Sequence, residues 1–218
     1  MNMDDAARRH ERFTAWQVAA PRGAEVIRGL HGTVGLLRLD AEGKAEEGWD
    51  DLPSGTLRAG GWDEDRAIYA GEAFTGGDEP RTIHLGLDIA APAATEVFAP
   101  LAGMVHSCQD NAAPYDYGPT IILEHTVARG VTFHSLYGHL SRESLDGLRP
   151  GRIFSAGQRI ATLGAPEVNG NWPPHLHFQI VLDIGEWTGD FPGVFRRSQR
   201  DYWRHICPDP RPLLGIPY

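Results

Sequence analysis

Five residues in three short segments have the types and spacing needed for metal chemistry. His84 and Asp88 lie in His-Leu-Gly-Leu-Asp, His175 and His177 lie in His-Leu-His, and His139 lies in Leu-Tyr-Gly-His-Leu. Strand residues two or four positions apart point to the same face. If both paired segments form neighbouring strands, two imidazoles and a carboxylate could surround one zinc ion. Three protein ligands plus a water are typical of a catalytic zinc site, where the metal activates water and polarises a carbonyl.

Each motif is weak evidence when it stands alone. A single histidine such as His139 is more often a hydrogen-bonded, half-buried structural residue, and His-x-x-x-Asp recurs by chance. The three motifs together are a strong signal because each of them lies inside a segment with strand character. The spacing alone does not decide which of these imidazoles bind the metal.

The elements that must position these residues are mostly short strands. Segments rich in β-branched and aromatic residues are separated by Gly, Pro, Asn or Asp. We predict strands at residues 33–39, 68–74, 82–89, 96–99, 103–109, 120–125, 132–140, 159–163 and 175–183. Because they do not alternate with long helical segments, we predict an all-β fold, a β-sandwich or partly open barrel.

Helices are predicted near both ends of the chain. Ala6, Phe13 and Trp16 recur at roughly helical spacing, so residues 4–19 predict a helix that Pro21 ends. Residues 198–206 predict a second, short helix. We therefore expect an N-terminal elaboration over residues 1–66, a β domain over 67–183, and a C-terminal extension over 184–218 that packs on it.

Charge and composition limit the partners and the compartment. The 29 acidic residues outnumber the 20 basic ones, which gives a net charge of -9. This balance argues against binding to nucleic acid and against adsorption to an anionic membrane. The charged N-terminus lacks the apolar run of a secretory signal, so we expect a cytoplasmic protein, exported only if a natural leader has been trimmed. The two cysteines, Cys108 and Cys207, are expected to be free thiols.

The motif set resembles the lysostaphin/LytM-type zinc metallopeptidases, which include gly-gly and murein endopeptidases. The resemblance covers about residues 80–183. It implies a compact antiparallel β-sandwich or open barrel with a groove and a duplicated hybrid motif. It also implies one Zn²⁺ ion, with His84, Asp88 and His177 as its ligands. It also implies that His139 and His175 are catalytic, placed beside the water or the substrate carbonyl, with their acid and base roles left open.

Three further residues could line the substrate groove. Tyr137 shares the strand direction of His139 and could donate a hydrogen bond to an oxyanion, but it could equally pack in the core. Trp172 lies three residues before His175 and is a candidate groove wall or a loop anchor. His125 ends a predicted strand, and a hydrogen-bonded structural role is the alternative for it.

His134 is not expected in the groove. It lies an odd number of residues from His139, so the two side chains should face opposite sides of a regular strand. We therefore predict that His134 is exposed.

The function predicted from these residues is hydrolysis of a peptide or peptide-like amide bond by zinc-activated water. The family resemblance implies a peptidoglycan-like substrate, whereas the missing signal favours a small cytoplasmic amide or peptide. Two alternatives stay open: a zinc enzyme that acts on a small metabolite as a lyase or cyclase, and a non-catalytic activator module. The unusual approach to the third motif, from Gly164 to Pro173, motivates the metabolite alternative.

Overall fold

The computed structural model describes residues 2–39, 57–69 and 71–216. Among these residues no helix combines the length and the apolar character that a membrane crossing requires. The described residues form a mostly β structure, which confirms the predicted all-β fold class.

The described chain contains thirteen strands. In chain order they are β1 (Val34–Leu36), β2 (Leu57–Gly60), β3 (Glu64–Asp65), β4 (Arg81–His84), β5 (Leu87–Ala90), β6 (Glu96–Phe98), β7 (Gly103–Asn111), β8 (Gly118–Ala128), β9 (Val131–Gly138), β10 (Ile153–Phe154), β11 (Arg159–Thr162), β12 (His175–Val181) and β13 (Val194–Arg196).

Eight of these strands form one large sheet in the order β1-β2-β5-β12-β9-β8-β7-β10. All neighbours in it are antiparallel except β1 and β2, which are parallel. The sheet is therefore mixed and open, and it does not close into a barrel. Two small sheets complete the fold, one with β13, β4 and β3 and the other with β11 and β6.

Four α-helices are present in the described residues: α1 (Met3–Ala19), α2 (Glu72–Thr75), α3 (Arg200–Ile206) and α4 (Arg211–Leu214). The Asn2 side chain caps α1 by accepting a hydrogen bond from the Asp5 amide at 2.9 Å. Phe13 of α1 is buried, and its ring packs edge-on against Phe133 of β9 at 5.0 Å. The predicted helix at residues 4–19 is confirmed, and it packs against β9 of the large sheet.

The central strand β12 separates the apolar core from the chemistry. Every residue of β12 is buried, and its side chains alternate between the two faces of the sheet. Leu176, Phe178 and Ile180 belong to the main hydrophobic core, whereas His175 and His177 point to the other face. The sheet therefore supplies a rigid, water-excluding base for the two histidines.

One predicted strand is wrong. Residues 68–74 were expected to be a strand, but Phe74 lies in α2 and no strand includes Ile68. The strands of this region lie earlier in the chain, where β2 pairs with β5 and β3 pairs with β4. Residues 57–66, expected in the N-terminal elaboration, thus contribute strands to two of the sheets.

Candidate metal centre

Two neighbouring strands of the large sheet bring His177 and Asp88 together. In the antiparallel register of β12 and β5, His177 lies directly opposite Asp88. Residues opposite one another in such a pair have side chains on the same face. The Nδ1 atom of His177 consequently lies 3.1 Å from Oδ1 of Asp88.

His84 reaches the same point from another sheet. It is the last residue of β4, where it pairs with Val194 of β13 and Glu64 of β3. The chain then leaves the small sheet at Leu85 and enters β5 at Leu87. The predicted single strand over residues 82–89 is therefore two strands, and the His84–Asp88 spacing bridges them.

Hydrogen bonding fixes the proton on His84. Its Nδ1 lies 2.8 Å from the carbonyl oxygen of Gly61, which can only accept a hydrogen bond. A neutral His84 ring therefore carries its proton on Nδ1. Its Nε2 lone pair then points at Nδ1 of His177, which is 3.0 Å away.

The proton on His177 is fixed in the same way. The Gln179 amide nitrogen donates to the Pro192 carbonyl and lies 3.2 Å from Cys207 Sγ, so Gln179 Oε1 faces His177. His177 Nε2 donates to this oxygen at 2.9 Å. His177 Nδ1 is thus unprotonated in a neutral ring, and the lone pairs of two imidazoles and one carboxylate converge without a proton between them.

Three converging lone pairs need a cation, and their spacing fits zinc. A tetrahedral ion with bonds of roughly 2.0–2.2 Å separates its ligand atoms by about 3.4 Å. The corresponding separations are 3.0 Å between the two imidazole nitrogens, 3.1 Å from His177 to Asp88, and 3.4 Å from His84 to Asp88. Among the described residues, His84, Asp88 and His177 form a group of potential metal ligands whose ligand atoms all lie within 4.8 Å of one another.

Charges around the trio favour the forms that bind a cation. Burial and the nearby Arg66 together lower the pKa of His84 to about 4. Burial alone would raise the pKa of the Asp88 carboxyl, but His84 and Arg66 hold it well below its usual range. Neutral imidazoles and an ionised carboxylate are the forms that metals require.

His139 and His175 lie together beside the trio. Their ring centroids are 4.1 Å apart. Nδ1 of His139 is 2.9 Å from the Asn169 carbonyl and Nδ1 of His175 is 2.7 Å from the Pro173 carbonyl, so each ring carries its proton on Nδ1. Burial lowers the pKa of His175 to about 4 and that of His139 well below its usual value. Both rings are neutral at pH 7, and Nε2 is the acceptor nitrogen of each.

All five residues line a cleft with a volume of about 280 Å³. Trp172, a predicted candidate for the groove wall, lines this cleft and packs edge-on against Tyr69 and Tyr115 at centroid distances of 6.2 and 5.6 Å. Arg81, Asp116 and Asp190 give the cleft both signs of charge. The other aromatic side chains that line it are Phe74, Tyr117 and Trp187.

Two expected groove residues lie in the core instead. Tyr137 is fully buried in the main hydrophobic core, packs against Phe178, and accepts a hydrogen bond from the Ser135 hydroxyl. His125 is also fully buried, bonded to the Ala102 carbonyl and Ser135 and stacked on Phe133. The strand β9 ends at Gly138, and His139 has a left-handed φ of 62°. Alternation along the strand therefore does not carry over from Tyr137 to His139.

Sequence reasoning missed three residues of the site. Tyr117, whose hydroxyl lies 3.3 Å from His177 Nε2, belongs to an aromatic loop whose composition is a usable signal. Arg66 and Tyr69 also line the cleft. Arg66 ends a stretch rich in Gly, Asp and Glu, and Tyr69 lies in the segment wrongly predicted as a strand. Nothing in either pattern indicates a buried ion pair.

The family model described as Peptidase family M23 matches residues 82–186. No curated protein matches the chain. Among solved structures, the catalytic domain of the antimicrobial peptidase lysostaphin from Staphylococcus simulans is 24% identical, with 62% of this chain and 80% of that chain covered and a TM-score of 0.43.

Two further solved structures are similar over different lengths. A zinc containing peptidase from Vibrio cholerae is 27% identical, with 45% of this chain and 27% of that chain covered and a TM-score of 0.37. A putative peptidase M23 from Pseudomonas aeruginosa is 20% identical, with 97% of this chain and 63% of that chain covered and a TM-score of 0.42. The chain thus spans less than two thirds of the length of these two proteins.

The matched segment contains the metal trio, His139 and His175. The predicted resemblance to lysostaphin/LytM-type metallopeptidases is therefore confirmed: residues 82–186 match peptidase family M23.

Proposed function

We propose that the protein is a zinc-dependent hydrolase that cleaves a peptide or peptide-like amide bond, with His84, Asp88 and His177 as the metal ligands. The observation that carries this proposal is the convergence of three unprotonated ligand atoms at separations of 3.0 to 3.4 Å. A zinc ion held there would supply a Lewis acid that polarises the scissile carbonyl and activates water.

His139 and His175 supply the proton transfers in this proposal. Each ring is neutral, and the carbonyls of Asn169 and Pro173 fix its Nδ1 proton. Each therefore presents Nε2 as a proton acceptor on the cleft side of the trio. A neutral imidazole in this position can take the proton of the attacking water and later return it to the leaving amine.

Tyr117 is a candidate donor to the developing oxyanion. Its hydroxyl lies beside the metal trio, 3.3 Å from His177 Nε2. Burial raises the pKa of this hydroxyl well above its usual value, so it stays protonated. A protonated, preorganised donor of this kind stabilises negative charge that develops on a carbonyl oxygen.

The cleft suits a short segment of peptide. Aromatic rings such as Trp172 and Tyr117 form flat walls for the planar amides, and Arg81, Asp116 and Asp190 offer partners for polar or charged side groups. The substrate we propose is a peptide crosslink of the peptidoglycan type or a soluble peptide-like amide. The match of residues 82–186 to peptidase family M23 motivates the first of these.

The test is mass spectrometry of purified peptidoglycan and of a peptide mixture after incubation with zinc-loaded protein. His177→Ala is the inactive variant, and zinc content is measured for every sample. His106→Ala is the matched control, because His106 lies outside the cleft and should leave zinc content and cleavage unchanged.

Cleaved amide bonds that appear with the intact protein and disappear with His177→Ala would support the proposal. Cleavage that persists in His177→Ala would contradict the assigned site. Failure of the intact protein to retain zinc, or retention of zinc without cleavage of either substrate, would contradict the proposed hydrolysis.

A further inference from the structure

Arg66 is a buried cation next to the metal centre, and it lies outside the segment that matches the peptidase family. Its side chain is 1% exposed. It follows β3 directly, sixteen residues before the start of the match at residue 82. Arginine is almost never fully buried unless it is paired, so its partners indicate why it is there.

Three partners surround the guanidinium. Nε donates to Oε2 of Glu64 at 2.7 Å, and NH1 donates to Oδ2 of Asp88 at 2.6 Å. NH1 also donates to the Tyr69 hydroxyl at 3.1 Å. Burial opposes the charge, but Tyr69, Asp88 and Glu64 together raise the pKa of Arg66 above its usual value. Arg66 is therefore a permanent cation held at three points.

The two oxygens of Asp88 have different partners as a result. Oδ2 accepts from Arg66, whereas Oδ1 faces His177 at 3.1 Å and His84 at 3.4 Å. A carboxylate without such a partner could rotate and offer both oxygens to a metal ion. The guanidinium occupies one oxygen and turns the other toward the two imidazoles.

The scaffold around Arg66 is itself fixed. Glu64 Oε1 accepts a hydrogen bond from the Leu39 amide at 3.1 Å, which anchors the acid that holds Arg66. A Cβ at Gly61 would come within 1.8 Å of Arg66 NH2, and the Gly61 carbonyl is the acceptor for His84 Nδ1. One turn of the chain thus makes room for the guanidinium and orients a second ligand.

We propose that Arg66 is a positioning residue of the metal centre, which holds Asp88 in one-oxygen ligation and aims that oxygen at the point where His84 and His177 converge. The inference rests on the proposed metal site and adds to it a residue from outside the family match. Hydrogen-bond partners of metal-binding carboxylates typically change metal affinity by about 10–100-fold when they are removed.

The experiment uses the full chain and measures zinc affinity by competition with a chromophoric chelator. It also records the visible absorption of the Co²⁺-substituted protein, because four-coordinate Co²⁺ absorbs more strongly than five- or six-coordinate Co²⁺. The first test variant is Arg66→Lys, which keeps the positive charge but loses the planar guanidinium that donates to Glu64 and Asp88 from two different nitrogens. The second is Glu64→Gln/Arg66→Met, which removes the cation together with one acid. Arg200→Lys, in the more exposed ion pair with Asp63, is the matched control.

We expect the double variant to bind zinc about 10–100-fold more weakly and its Co²⁺ bands to weaken as Asp88 offers both oxygens. Arg66→Lys should lie between the double variant and the wild type, and Arg200→Lys should match the wild type. A folded double variant with wild-type zinc affinity and Co²⁺ spectrum would overturn the inference; if it does not fold, the same result for Arg66→Lys would do so. Absence of zinc binding in the wild type would instead overturn the proposed metal site.

Discussion

Gly86 lies against the His177 ring so closely that a Cβ at residue 86 would come within 2.1 Å of the ring carbon Cε1. Real Cβ contacts are never this short, so any side chain at residue 86 must displace the imidazole. The chain passes between β4 and β5 at this residue, and the ring of a proposed metal ligand fills the space that glycine leaves.

We therefore expect Gly86→Ala to weaken zinc binding at least tenfold and to lower the free energy of unfolding by about 1–3 kcal/mol, as overpacking does. Zinc competition and urea unfolding measure the two effects. Gly76→Ala is the control, because a Cβ there meets no atom within 4 Å and the backbone is not left-handed. Equal zinc affinity in Gly86→Ala and Gly76→Ala would refute the role of this close contact.

Substitutions of His139 and of His177 should have different effects on zinc binding, although both should reduce turnover. His139 hydrogen-bonds to the Asn169 carbonyl and is not part of the metal trio. We expect His139→Ala to keep zinc affinity within about threefold of the wild type while turnover falls by about 10²–10⁴-fold, the usual contribution of a general acid or base. His177→Ala should lose both. Metal analysis and cleavage rates on the same samples make the comparison, and parallel losses in the two variants would show that His139 holds the metal as well.

Trp172 should affect substrate binding more than chemistry. Its indole packs against Tyr69 and Tyr115 on the cleft wall. We expect Trp172→Ala to raise KM about tenfold with kcat within a factor of about three, since loss of binding that is equal in ground and transition state raises KM alone. Trp172→Phe should recover part of the affinity because it keeps an aromatic surface. A fall in kcat at unchanged KM would place Trp172 among the residues that act in the transition state.

The large sheet and the convergence of ligands could be predicted from the sequence. His-Leu-His reads as one strand with both imidazoles on one face, and β12 has that arrangement. Its register opposite Asp88 also follows the expectation of two neighbouring strands. Local alternation and strand pairing are short-range properties, so the pattern of residue types carries them well.

Other parts of the site depend on long-range or irregular structure. The break between β4 and β5 places His84 in a different sheet from Asp88, and Gly86 at this break lies against the His177 ring, a contact distant in sequence. The left-handed backbone of His139 separates it from the strand that holds Tyr137. Arg66 pairs with Glu64, two residues before it, and with Asp88, which is near it only in the fold, so the local sequence does not indicate that it is buried at this site.

The burial of His134 should make the stability of the protein depend on pH in the acidic range. Contrary to the expected exposure, it is only 8% exposed, because β9 is covered on that side as well. Its neighbours include His106, with ring centroids 5.0 Å apart, and Glu124, whose carboxylate lies 3.6 Å from Nε2. Burial, together with the nearby His106 and His125, lowers the pKa of His134 from 6.5 to about 4, whereas Asp183 opposes the shift.

Between pH 6.5 and about 4 the unfolded chain therefore binds a proton at residue 134 that the folded chain does not. The stability that His134 contributes is present above pH 6.5 and is lost as the pH falls toward the folded pKa. Between pH 7.5 and 5 this loss amounts to about 2 kcal/mol. His134→Leu removes the titrating group, so we expect its free energy of unfolding to fall by about 2 kcal/mol less than that of the wild type over this range. Urea unfolding of both proteins in EDTA, which removes any metal contribution, measures the difference, and parallel pH curves would show that His134 is not protonated on unfolding.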